Sequence, residues 1–148
     1  MKLSQTNKQL LTDEFTFVIN KMELSKTPDQ ILYYFSGLYG MVLRVLNIEY
    51  SDELLLTHFI LEKTHKDITG RIHAIKTGPP VMLFPENFAP KLIEYTKELK
   101  TGFYNSKQRI DVLNKFVVLA FSITGNGNYL IEKGIINIFS DKKQLKIK

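Results

Sequence analysis

The chain has no cysteine, no tryptophan and only three arginines among its 148 residues. The missing thiols remove disulfide scaffolds, thiolate zinc sites, iron–sulfur clusters and cysteine nucleophiles together. The scarcity of arginine matters because the protein is basic, with a formal net charge of +5. Such a charge permits contact with nucleic acid or an anionic surface. It is carried by lysine, with Arg44, Arg71 and Arg109 the exceptions. Readers of bases and phosphates favour the planar, bidentate guanidinium, so nucleic acid is a remote partner, reachable only through lysine. No continuous apolar run approaches the ~20 residues that span a bilayer. Met1-Lys2-Leu3-Ser4-Gln5-Thr6-Asn7 turns polar too early for a secretory leader. A cytoplasmic protein without a membrane partner is the expectation.

Several catalytic templates are missing as well. Gly125-Asn126-Gly127 matches neither a P-loop nor a dinucleotide fingerprint. There is no Gly-x-Ser-x-Gly elbow and no close carboxylate pair in an apolar setting. These gaps lean against an enzyme and leave any cofactor unassigned.

What is present is an ordinary globular composition, 44% apolar and 24% charged, with ten Phe and seven Tyr. The apolar residues recur at spacings of three and four, the helical period. Leu11, Phe15, Val18 and Met22 share one face of a helix over about 6–24, and Leu10 and Ile19 widen it. Thr27-Pro28-Asp29-Gln30 supplies an N-cap, a proline at the first helical position, an acid in the first turn and a capping-box Gln. The helix it opens, about 28–47, is apolar over more than half its circumference. Gly37 and Gly40 inside it suggest close helix approach. Ser51-Asp52-Glu53 caps a third helix whose stripe reads Leu54, His58, Leu61, His65, Ile68, Ile72, Ile75, a heptad spacing. It ends near Thr77-Gly78. A fourth helix covers about 89–101 and stops at Gly102. Ser106 can cap a fifth over about 107–124, where Phe116-Val117-Val118-Leu119-Ala120-Phe121 is apolar all round and suits a central helix.

The expected fold is all-α: an up-down bundle of four or five helices with a proline-rich crossover at 78–90. One domain covers 1–139, in which 129–139 is either helix or extended arm, and 140–148 is a basic tail.

The best chemical constellation is His58, Glu62 and His65. Glu62 lies four residues after one imidazole and three before the other, so it can reach either. Imidazole and carboxylate would suit zinc or iron. The alternatives are two histidines at a helix interface, or a pH-responsive contact. Arg71 and His73, with Lys76, gather at the end of the third helix, where cations complement the helix dipole and could also take a small anion.

Three stretches resemble the cobalamin adenosyltransferase-like helical bundles, in an uncharacterised archaeal branch. They are Asp52-Glu53-Leu54 with the helix up to Ile75, Pro90-Lys91-Leu92-Ile93-Glu94-Tyr95, and Leu113-Asn114-Lys115-Phe116-Val117-Val118-Leu119-Ala120. The resemblance implies the bundle and a tendency to trimerise. It does not extend to adenosyl transfer, because the N-terminal ATP loop and the arginine-rich helix of that family have no counterpart. At the late motif Lys115, Val117 and Val118 replace its Arg, Ser and Asp. The surplus of apolar faces leads to the expectation of a non-enzymatic homo-oligomer.

Overall fold

The computed structural model describes residues 1–77 and 88–124, with side chains up to residue 70 and over 88–123. It contains five helices: α1 (Gln5–Leu24), α2 (Pro28–Ile48), α3 (Asp52–Thr77), α4 (Phe88–Gly102) and α5 (Ser106–Thr124). No strand occurs among the described residues. The all-α expectation holds. The crossover up to residue 87, the 129–139 arm and the 140–148 tail lie outside the described residues. Pro90 falls inside the first turn of α4, where its missing N–H is not needed by the helix.

Local chemistry sets the helix starts. Ser4 Oγ accepts the Asn7 N–H at 3.2 Å, Thr27 Oγ1 the Gln30 N–H at 3.2 Å, and Ser51 Oγ the Leu54 N–H at 3.0 Å. The Gln30 amide oxygen reaches back one residue further than a capping box requires, to the Lys26 N–H at 2.8 Å. At α5 the expected cap is corrected. Asn105 Oδ1, not Ser106, accepts the Gln108 N–H at 2.9 Å, which frees the Ser106 hydroxyl for another helix.

Helix directions alternate along the chain. The Ser4 N–H at the start of α1 bonds Glu49 after the end of α2. Glu53 at the start of α3 bonds Ser106 and Arg109 at the start of α5. Spatial order differs from chain order: α1 packs on α2, α2 on α3, α3 on α5, α5 on α4, and α4 returns to α1. The bundle is therefore a closed ring in which α3 and α5 are parallel neighbours. A ring gives every helix an outer face, so α5 is not central. Val118 on its outer side is 38% exposed and Ser122 is exposed.

The inner faces make one core. Leu11, Phe15, Val18 and Met22 are buried as their spacing predicts. Phe15 meets Phe103 edge-on at 5.3 Å, and Phe35 meets Phe116 at 5.8 Å, which links α2 to α5. Burying each ring stabilises by about 1.5–3 kcal/mol. Truncating Phe35 to alanine would cost ~3–5 kcal/mol through the cavity left behind.

α2 is long and apolar enough to cross a bilayer by length and composition alone, with a mean hydropathy of 1.3. Scanning for unbroken apolar runs misses this, because Ser36, Gly37 and Gly40 interrupt them while Asp29 and Arg44 are its only charges. Its stripe Leu32, Phe35, Leu38, Val42 and Val45 is buried against the neighbouring helices.

Candidate functional site

Three side-chain groups stand out on this frame. The first lies between α2 and α3. The buried register of α3 runs through Leu54, Thr57, Leu61, Thr64 and Ile68. His58 and His65 sit at the edge of that register, half-buried, and turn toward α2. Thr57 and Thr64 fill inner positions because each hydroxyl bonds the carbonyl four residues back, to Glu53 and Ile60, both at 2.8 Å. Tyr39 of α2 meets both imidazoles, with ring centroids 5.9 Å from His58 and 5.5 Å from His65. Its hydroxyl lies 3.4 Å from His65 Nδ1. Phe35 stacks on His65 at 6.5 Å, with the ring planes nearly parallel. Burial lowers the His65 pKa, opposed by a main-chain bond at Leu32 and the Glu62 charge. Burial also raises the Tyr39 pKa, helped by Glu62. Glu62 itself pairs with Lys66 at 3.5 Å.

This arrangement can hold the His65 imidazole neutral against aromatic rings. Among the described residues no group of three or more His, Asp or Glu side chains could hold a metal ion. The zinc or iron expectation for His58, Glu62 and His65 thus lacks a convergent ligand set. The physical reason is the edge placement, which gives both imidazoles a phenol for a neighbour. The Arg71 and His73 side chains, the anion candidates, lie outside the described residues.

The second group closes one end of the ring. Arg109 is 2% exposed. Its Nη1 donates to the Phe103 carbonyl at 2.7 Å and its Nη2 to Glu53 Oε2 at 2.8 Å. Glu53 also accepts from Ser106 Oγ at 3.0 Å and pairs with the Met1 amine at 2.9 Å. The amine, the Ser106 hydroxyl and the Arg109 charge together hold the Glu53 pKa down at about 2. Nearby, the Ser4 N–H and the Asn7 side-chain amide lower the pKa of Glu49. The sequence contained a signal for Arg109. It continues the stripe Ile123, Ala120, Phe116, Leu113 at heptad spacing, so a cation was due on the inner face.

The third group is aromatic and lies on the flank of α1 and α2. Phe17 and Tyr34 meet edge-on at 6.2 Å, and Tyr33 and Tyr34 at 5.2 Å. Phe17 is 50% exposed, Tyr33 71% and Leu24 67%. The Lys21 ammonium stands 5.7 Å over the Phe17 ring. Gly37 and Gly40 are exposed on the same flank, and a Cβ on Gly40 would meet nothing within 4 Å. A Cβ on Gly37 would lie 3.1 Å from Glu14 Oε2 of α1, so the close approach expected of these glycines occurs at Gly37 and not at Gly40.

Lysines elsewhere are interleaved with acids: Lys63 with Asp67, Lys107 with Asp111, Lys115 with Glu98, and Lys97 with Glu23. Searches against protein-family models, curated proteins and solved structures found no match to this chain.

Proposed function

We propose that this chain is a non-enzymatic helical-bundle protein that works as a homo-oligomer. The observation that carries the reading is the continuous aromatic cluster of Phe17, Tyr34 and Tyr33 on the outer flank of α1 and α2. Isolated exposed apolar residues are common on monomers and call for no explanation. Here Phe17 and Tyr33, half or more exposed, flank the partly buried Tyr34 and present one patch whose removal from water stabilises at about 25 cal/mol per Å². Among the described residues the core beneath is already closed by five helices without this patch.

Sedimentation velocity from about 1 to 100 μM tests the reading. A mass that is a multiple of the protomer supports it. A monomer across the whole range overturns it.

A further inference from the structure

We propose that α1 carries a self-complementary stripe through which two copies of this chain pair about a two-fold axis. The inference rests on the oligomer reading above and names its surface and symmetry.

α1 has two heptad stripes. Leu11, Phe15, Val18 and Met22 face the core and are buried. Leu10, Glu14, Phe17, Lys21 and Leu24 follow spacings of four, three, four and three, and all five are half-buried or exposed. Read from either end, this second stripe has the same order of chemistry: an apolar end, a charge, an aromatic ring, the opposite charge, an apolar end. Two such stripes laid antiparallel about an axis at Phe17 set Leu10 against the other copy's Leu24, Glu14 against its Lys21, and Phe17 against its counterpart. Isologous interfaces need this self-complementarity, since one patch must serve as both halves. Knobs at heptad spacing are also what helix pairing uses.

The state of the two charges supports the arrangement. Among the described residues Glu14 has no hydrogen bond or ion pair, and the Lys21 ammonium meets only the Phe17 ring. They cannot satisfy each other within one helix, because seven residues separate them by roughly 10 Å. Burial alone raises the Glu14 pKa, as expected of a carboxylate placed against protein without a cation. The two-fold gives each charge its opposite, twice over. Tyr33, 71% exposed, extends the apolar patch beside the stripe on the α2 side.

The test is a charge swap read by sedimentation velocity, with circular dichroism as the folding control. The wild-type protein is expected to dimerise. Glu14→Lys sets two lysines against each other and Lys21→Glu two acids, so each single variant should weaken dimerisation at least about tenfold. The double variant Glu14→Lys/Lys21→Glu should return to within about threefold of wild type. Should either single variant fail to fold, Phe17→Ser replaces it and should also yield monomer. A wild-type dimer indifferent to all of these leaves the oligomer reading standing and overturns this interface. So does a trimer, which needs a head-to-tail contact. A monomeric wild type overturns both readings. A monomer that floats with phosphatidylcholine vesicles does the same and assigns the flank to a lipid surface.

Discussion

Arg109 Nη2 and Glu53 Oε2 lie 2.8 Å apart and join the first turns of α5 and α3 across 56 residues of sequence. The partners are not equivalent. Arg109 is 2% exposed, whereas the Glu53 side chain keeps 25% of its surface in water. Glu53→Ala strands a buried cation and should cost ~2–4 kcal/mol. Arg109→Met fills the same space with an apolar chain and leaves an acid that water can still reach, so it should cost less. Urea midpoints of the two variants check the order.

The same carboxylate predicts an acid-labile fold. Glu53 sits at about 2 in the folded chain, against 4.5 as its reference, chiefly through the Met1 amine and then through Ser106 and Arg109. Its folded pKa is depressed, so the unfolded chain binds the proton first as pH falls. The stabilisation is complete above 4.5 and drains away between 4.5 and about 2. Urea midpoints taken at steps across that window should fall steeply for wild type and more gently for Glu53→Ala. Equal slopes would remove the clamp as their source.

Periodicity made the five helices legible, since Leu11, Phe15, Val18 and Met22 can be placed from spacing alone. It placed α3 less well. A heptad count takes His58 and His65 as inner residues, while the fold uses Thr57 and Thr64 there. A threonine that returns its hydroxyl to its own helix has little left to desolvate, and hydrophobicity does not register that. Ring order was also beyond reach. Which helix lies beside α3 is decided by contacts such as Arg109 with Glu53, far apart in the chain. The aromatic flank is half legible: Tyr33 and Tyr34 are neighbours in the sequence, but their partner Phe17 comes from α1.

His65 gives a second pH dependence, nearer neutrality. Burial against Phe35 holds its pKa below 6.5. Above 6.5 both folded and unfolded chains carry it neutral, and the packing contributes in full. As pH drops below 6.5 the unfolded chain protonates first, so stability declines toward the folded pKa. Tyr39, His58, Glu62 and Lys66 surround it and stay in place in His65→Phe. That variant should have a flatter stability profile between pH 7 and 5 than wild type. A profile unchanged from wild type would place the titration elsewhere.

Two glycines should respond in opposite directions to the same added methyl. Gly102 ends α4 against the first turn of α5. A Cβ there would lie 2.7 Å from Gln108 Cβ and 2.8 Å from Gln108 Oε1. The amide end can swing aside, but the Cβ moves only if α5 moves. Gly102→Ala should therefore cost ~1–3 kcal/mol. Adding Gln108→Ala should not rescue it, because that change keeps the clashing atom. Gly40 lies in the interior of α2, exposed, with nothing within 4 Å of a built Cβ. Gly40→Ala should relieve the entropy cost of glycine in a helix and stabilise by about 0.5–1 kcal/mol. That is a rise of roughly 1–4 °C in Tm for a chain of this size. Measured side by side by circular dichroism, the two variants should lie on opposite sides of wild type. A loss for both would mean that the α2 flank is more crowded than the protomer shows, as it would be with a second copy seated on it.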